Sequence, residues 1–324
     1  MQKKVAIIIP AKGKATYLIK CIQSVLEVNY YLKEIFIVDD GLDKDVLAKL
    51  LAFKGKIRIL NSQGRGPSFA RNLAAKFSDA EFIAFTDSDC IVEKNWISKL
   101  LEGFEKFQDA VSCGGTQLLP ADATNFERRV FEFMKKVGFI SDYVKKTKTQ
   151  KIFKVNHNPS YNVMYKREIF LKENGFLENL WPAEDVEFDY RLRKKNYILV
   201  YSQEAVVYHY KPKNFKSFLE MMYRYGLAQG FLVKKYGPFR KLHFLAIFIY
   251  LFIFGLLFLA LHNFVYFALF SIIFLFLFFA YFKFNFIIIF LAIFAFFGWN
   301  LGFLKGWISF RLFRNSKKIQ SFLS

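Results

Sequence analysis

Cysteine is scarce in this sequence: Cys21, Cys90 and Cys113 are the only three in 324 residues. None is spaced as a metal-ligand pair and three thiols cannot build a disulfide framework. A disulfide- or zinc-stapled fold is therefore excluded, and a reducing compartment is implied. A secretory leader is lacking too. The first apolar run, Val5–Ile9, is too short for one and stops at Pro10, so the amino-terminal region is expected to stay in the cytosol. Acidic residues are missing from residues 241–324, which carry seven basic residues and no Asp or Glu. The first 240 residues hold the other 40 basic residues against 27 acidic ones, giving a net charge of +20 for the chain. These basic residues are scattered rather than gathered into a nucleic-acid-binding block. An anionic lipid surface and phosphate-bearing substrates explain them without nucleic acid.

What is abundant is apolar length near the carboxyl end. Phe244–Leu261, Phe264–Phe282 and Phe286–Leu304 are runs of 18, 19 and 19 residues. Each approaches the ~20 residues a helix needs to cross a hydrocarbon core of ~30 Å. Three such runs in succession leave no polar face for a soluble core, so a membrane region of about three helices is expected over 241–304. The connections His262-Asn263 and Lys283–Asn285 are short enough to force antiparallel hairpins. The basic tail Arg311–Lys318 prefers the cytosol, whereas three full crossings from a cytosolic domain place it outside. One run, such as the third with its Asn300 and glycines, is then re-entrant or interfacial.

Ahead of these runs the pattern is α/β. Lys4–Pro10 reads as a buried parallel strand, Ala15–Leu26 as a helix and Glu34–Val38 as a second strand ending at Asp39-Asp40-Gly41. A helix over Val46–Phe53, a strand over Ile57–Leu60 and a helix over Ser68–Phe77 follow. In open α/β sheets ligands bind beyond the carboxyl ends of strands, so Pro10–Lys14 and Asp39–Gly41 are expected to face a nucleotide. Arg71 stands near the start of its helix, as a phosphate or base contact or as a surface arginine.

Ala80–Val92 is the stretch around which the rest is organised. Phe82–Phe85 suits a buried strand, and Asp87 and Asp89 follow it one residue apart. Such carboxylates need a partner, and a divalent cation on a diphosphate is a common one. The bland alternative is a polar turn in which Asp87 caps a helix beginning near Glu93. Further on, Pro182 precedes Glu184 and Asp185 in the first turn of a helix, where the macrodipole favours negative charge for purely structural reasons. The same pair would serve as a general base facing an acceptor hydroxyl. Tyr197–Tyr208 reads as a strand ending at His209, a metal ligand or a hydrogen-bonded strand end. His157 and Asn158 lie in a loop with no specific signal, and Lys145–Lys154 reads as a solvated, mobile loop. Phe215–Tyr236 reads as one or two amphipathic helices leading to a membrane.

In this order the parts resemble the family 2 glycosyltransferases, which have the GT-A fold. The resemblance is carried by the IIIP strand, Val38-Asp39-Asp40-Gly41, Gly66-Pro67-Ser68-Phe69-Ala70-Arg71-Asn72 and Thr86-Asp87-Ser88-Asp89. It continues through Asn162–Arg167 with Phe170, Gly175-Phe176, and Ala183–Phe188 with Arg191-Leu192, covering about residues 3–235. It implies a Rossmann-like, mostly parallel sheet in a cytosolic catalytic domain over 1–214. Amphipathic interfacial helices at 215–240, the membrane region and a basic tail at 305–324 would follow.

The resemblance implies site residues as well. Pro10, Asp39, Asp40, Arg71 and Asp87 would bind the nucleotide-sugar donor. Asp87, Asp89 and His209 would hold Mn2+ or Mg2+. Asp185 would be the base of an inverting displacement, supported by Glu184, and Asn162 and Arg224 would contact diphosphate or acceptor. Location at a membrane points to a polyprenyl-linked lipid or glycan acceptor and a multi-pass protein of the cell membrane. Ala11–Lys14 and Leu42-Asp43 depart from the family pattern at the base-binding end, which leaves the nucleotide open. The alternatives are a processive polysaccharide synthase, a sugar nucleotidyltransferase and an inactive membrane scaffold. The first would carry a Gln-x-x-Arg-Trp motif where this chain has Met221-Met222-Tyr223-Arg224-Tyr225. The second would carry a glycine-rich loop with catalytic Arg and Lys after the first strand, and the third needs no acidic set.

Overall fold

The computed structural model describes residues 3–139 and 151–309. The chain divides into two compact units, Met1–Ala123 with Gly138–Lys211 and Thr124–Val137 with Pro212–Ser324. Residues 124–137 belong to the second unit, with everything from Pro212 on.

The first unit is built on one sheet whose centre is β1 (Val5–Gly13). Alternate side chains of a strand face opposite ways. Val5, Ile7 and Ile9 accordingly enter one core while Ala6 and Ile8 enter the other. Both faces are covered, which is why the strand reads as an unbroken apolar run. β1 lies between β2 (Lys33–Leu42) and β4 (Phe82–Phe85), with β3 (Arg58–Asn61) outside β2, all parallel. Beyond β4 the order continues through β8 (Val163–Lys166), β6 (Ala110–Leu118), β9 (Ile198–His209) and β5 (Cys90–Val92). β7 (Ile152–Val155) also pairs with β9.

β8 runs antiparallel to both β4 and β6, so the sheet is parallel in its first half and mixed in its second. That mixed α/β sheet is the GT-A arrangement. Helices α1 (Leu18–Leu26) and α4 (Trp96–Lys106) supply one core. The opposite core takes α3 (Pro67–Phe77), α6 (Arg167–Lys172) and α7 (Glu184–Lys194), with Phe85, Tyr165, Phe170, Phe176 and Phe188 in tilted and edge-to-face contact. A short helix, α2 (Lys44–Leu50), continues into a 3-10 turn at Leu51–Phe53.

Two expectations change here. The basic stretch Lys145–Lys154 is not a loop throughout: residues 145–150 lie outside the described residues, but Ile152–Lys154 belong to β7, antiparallel to β9. Asp87 caps no helix, because α4 begins only at Trp96 with Asn95 in the cap position.

The second unit is helical. α5 (Asn125–Lys136) opens with a capping box in which Thr124 and Glu127 satisfy each other's backbone N–H groups. α8 (Phe215–Tyr236) is one continuous helix rather than two. α9 (Lys241–His262), α10 (Phe264–Tyr281) and α11 (Phe286–Ile308) occupy the three apolar runs. Among the described residues, α10 and α11 are long and apolar enough to cross a membrane; α10 has no buried residue, and α11 is partly buried inside the unit. The basic tail at 311–318 lies outside the described residues.

Candidate active site

The site is assembled at the carboxyl ends of β1, β2 and β4. Pro10 is buried in β1 opposite Val38, and the last residues of β2 are Asp39 to Leu42. Asp39 folds back on its own strand end, where Oδ1 accepts from the N–H groups of Gly41 at 2.8 Å and Leu42 at 2.7 Å. Gly41 sits at φ +101°, a conformation open to glycine, which is why the turn can close. Asp40 instead organises the neighbouring loop: its Oδ1 accepts from Ser62 Oγ at 2.6 Å and from Gly66 N–H at 2.9 Å. Its Oδ2 is buried with no hydrogen-bond partner among the described residues.

Gly66 ends that loop and Pro67 starts α3, which carries Arg71 inward to 1% exposure. A buried guanidinium requires paired acids. Arg71 Nη2 donates to Asp87 Oδ1 at 2.5 Å and Nη1 to Glu184 Oε1 at 2.7 Å. Burial opposes its charge, but Asp87 and Glu184 more than offset that and hold it cationic. Arg71 is thus no surface arginine; it ties the end of β4 to the start of α7.

Glu184 is 2% exposed, and burial pushes its carboxyl up to about 8 against the pull of Arg71, whose charge is shared with Asp87. Asp185, next to it, is only half-buried. Its Oδ2 accepts from Ser160 N–H at 2.8 Å and its Oδ1 from Val186 N–H at 2.7 Å, which fixes the carboxylate at the helix start. One turn further along α7, Asp189 is fully buried, and burial raises its carboxyl above the ordinary range. It is held by His157 Nδ1 at 2.9 Å, Asn158 N–H at 2.7 Å and the Tyr165 hydroxyl at 2.9 Å. His157 and Asn158 therefore anchor α7 from behind.

Asp89 and His209 meet because β5 pairs with the end of β9, placing Cys90 opposite His209. His209 Nε2 lies 3.3 Å from Asp89 Oδ1, and the ligand atoms of Asp89, Cys90 and His209 fall within 4.8 Å of one another. Cys90 is fully buried; burial and the adjacent Asp89 push its thiol up, so it stays protonated. Burial works against the Asp89 charge as well, but His209 and Lys211 outweigh it and hold the carboxyl below its ordinary value.

Lys211 escaped the sequence reading. It is 8% exposed, its Nζ stands 3.4 Å from His209 Nδ1, and burial pulls its ammonium down to about 8 while Asp89, Cys90 and Asp87 support it. Two residues beyond His209 at a strand end, it shares that residue's side, and a period of two was its one available signal. Ser160 was also missed, having only a backbone role toward Asp185.

Asn162, expected as a diphosphate or acceptor contact, is bonded within the first unit. It is fully buried, accepting from Trp96 Nε1 at 2.8 Å and donating to the carbonyls of Thr116 at 3.0 Å and Ala205 at 2.9 Å. Its amide bonds inward. Arg224 belongs to α8 of the second unit.

The profile of glycosyl transferase family 2 matches residues 6–172, more than half of the chain. The chain belongs to this family. Among its relatives is the glucosyl-dolichyl phosphate glucuronosyltransferase of Haloferax volcanii, 27% identical over 161 residues, 49% of this chain and 50% of that protein. Another is the Escherichia coli UDP-Glc:alpha-D-GlcNAc-diphosphoundecaprenol beta-1,3-glucosyltransferase WfgD, 36% identical over 100 residues, 30% of this chain and 38% of that protein. The chain spans half or less of the length of both relatives. The fold of this family 2 member also matches the mannosyltransferase PcManGT of Pyrobaculum calidifontis, solved with GDP-Man and Mn2+. The TM-score is 0.67 at 12% identity, covering 97% of this chain and 89% of that one.

Proposed function

We propose that this protein is a membrane-bound, inverting glycosyltransferase that moves a sugar from a nucleotide donor onto a polyprenyl-linked lipid or glycan at the cell membrane. The observation that carries this reading is Arg71, buried between Asp87 and Glu184. One cation thereby joins the acidic strand end that follows β4 to the helix start that presents Asp185.

The residues around Asp89 suit a hard divalent cation. A carboxylate and an imidazole stand 3.3 Å apart, and the neighbouring thiol is kept neutral by burial. Asp87, Asp89 and His209 would hold Mn2+ or Mg2+, with imidazole favouring Mn2+. Such an ion supplies Lewis-acid neutralisation of charge on the departing diphosphate. The Lys211 ammonium adds a fixed positive charge beside it. Asp39 and the loop held by Asp40 face the nucleobase end. Asp185, immobilised by Ser160 and Val186, takes the proton of the acceptor hydroxyl as that oxygen attacks the anomeric carbon. Glu184 and Arg71 set the position of α7 relative to Asp87.

The acceptors in the names of the Haloferax and Escherichia relatives are lipid-linked, which supports the acceptor class. The apolar carboxyl-terminal region, in which α10 is long and apolar enough to cross a bilayer, supports the location, with the first unit on the cytosolic side. The test is transfer of labelled sugar from a panel of sugar nucleotides into lipid-extractable product, using membranes with wild-type protein or Asp185→Asn, with and without Mn2+. Metal-dependent label in the lipid phase that Asp185→Asn abolishes is the expected result. Label confined to water-soluble or polymeric product would refute the lipid acceptor.

A further inference from the structure

The third apolar run is paired along its length with a charged helix. Phe215 at the start of α8 packs on Phe290 and Phe294 of α11, with ring centroids 5.1 Å away in each case. Lys234 near the end of α8 lies 4.7 Å over the ring of Trp307, at the end of α11. Between these points the backbones touch. A Cβ on Gly226 would overlap the carbonyl oxygen of Trp299, one on Gly230 that of Phe303, one on Gly302 that of Tyr223 and one on Gly306 that of Leu227. The two helices therefore run side by side, in the same direction, over about five turns.

α8 carries Lys216, Glu220, Arg224, Lys234 and Lys235. If α11 crossed the bilayer, it would draw this helix through the hydrocarbon with it, where charged side chains are strongly disfavoured. α10 differs: none of its residues is buried, and it packs on α9 through Phe252, whose ring lies 5.7 Å from Phe270 and 4.9 Å from Phe274. Both ends of this hairpin return to amphipathic helices. His243 Nε2 at the start of α9 is 2.7 Å from Gln229 Oε1 of α8, and the Tyr281 hydroxyl at the end of α10 donates to the Lys136 carbonyl of α5 at 2.9 Å. The hairpin tip, His262-Asn263, carries no Asp, Glu, Lys or Arg.

We infer that the α9–α10 hairpin alone crosses the membrane and that α11 lies beside α8 in the headgroup region. The exposed face of α11, with Phe297, Leu301 and Leu304, meets the acyl boundary. The lysines and Arg224 of α8 meet anionic lipid headgroups. With two crossings, both ends of the hairpin lie on one side, so α8 and α11 share that side, which suits the positive-inside preference of the basic residues on α8. This inference rests on the membrane-bound reading above.

Three single-residue variants of the full chain in sealed membrane vesicles of known orientation test it: Tyr31→Cys in the first unit, Asn263→Cys at the tip and Ser309→Cys after α11. The probe is a membrane-impermeant maleimide. The native Cys21, Cys90 and Cys113 are all buried and leave a low background. The expected result is that Tyr31→Cys and Ser309→Cys label from one face and Asn263→Cys from the other. Ser309→Cys labelling together with Asn263→Cys would show that α11 crosses and overturn the inference. All three labelling from one face in membrane-retained protein would show that the hairpin does not cross, which also overturns it. Protein released by alkaline carbonate and labelled throughout would instead refute the membrane-bound reading itself.

Discussion

Arg71 Nη1 donates to Glu184 Oε1 at 2.7 Å although the two residues are 113 positions apart, and neither is more than 2% exposed. The same guanidinium reaches Asp87, so removing it leaves Asp87 without its counter-charge and Glu184 without its hydrogen-bond donor. Breaking a buried pair from one side costs about 3–5 kcal/mol. Arg71→Met is expected to lose stability on that scale, read as a lower midpoint in thermal or denaturant unfolding. It is also expected to lose nucleoside diphosphate binding. A variant that unfolds like wild type would show the bridge to be energetically idle.

Asp185 is the proposed general base, being half-buried where Glu184 is enclosed. General base catalysis contributes roughly 10²–10⁴-fold. Asp185→Asn is expected to lose turnover by about that factor while donor affinity stays within about twofold, because its side chain bonds only Ser160 and Val186. Donor binding by calorimetry beside single-turnover rates separates the two effects. A large loss of donor affinity with turnover retained would assign Asp185 to binding.

Glu184 is held up to about 8, above the ~4.3 of an unfolded glutamate, because burial disfavours its charge. Between those values the folded state keeps a proton that the unfolded state has released. Stability from this group is therefore present at low pH and declines as pH rises toward about 8. Glu184→Gln, which cannot ionise, is expected to remove that decline. Its melting temperature relative to wild type should rise from pH 5 to pH 8. A constant difference across that range would show Glu184 to be ionised throughout.

The strand ends of this site were legible because their signals are local. The apolar run Val5–Ile9 had to be a buried strand, Phe82–Phe85 another, and acids directly after such strands needed a partner. Glu184 and Asp185 were legible as a helix start for the same reason. What stayed hidden depends on register between distant strands. The resemblance had grouped His209 with Asp89, but nothing near Asp89 itself announces that β5 pairs with β9 to bring His209 to 3.3 Å, and Lys211 behind it stayed hidden. The strand at Ile152–Val155 was masked by the lysines before it, and residues 124–137 gave no sign of leaving the first unit. For Arg71 the residues alone left a ligand contact and a surface arginine open, because its burial depends on the distant acids it meets.

The contact between α8 and α11 depends on the missing side chains of Gly226 and Gly302, where an added Cβ would strike a backbone carbonyl. Backbone cannot move aside as a flexible side chain can, and overpacking of this kind costs about 1–3 kcal/mol. Gly226→Ala and Gly302→Ala are each expected to destabilise the second unit by that amount. Gly255→Ala on α9, with nothing within 4 Å of its Cβ, is expected to be neutral. Thermal aggregation of detergent-solubilised protein compares the three, and equal behaviour would contradict close packing of the two helices.

Lys211 makes the last prediction, because it puts a built-in cation beside Asp89. Burial lowers its pKa to about 8, so its positive charge is present at pH 7 and fades above pH 8. A nucleoside diphosphate bound without metal has this ammonium and the shared Arg71 charge to meet. Metal-free affinity is expected to fall several-fold between pH 7 and pH 9 in wild type. Lys211→Met should start weaker at pH 7 and change little across the same range. Calorimetric titration of UDP and GDP at both pH values, in the presence of a chelator, makes the comparison. If the variant keeps the wild-type pH dependence, the ammonium lies outside the reach of the diphosphate, and its work is to brace His209 against Asp89.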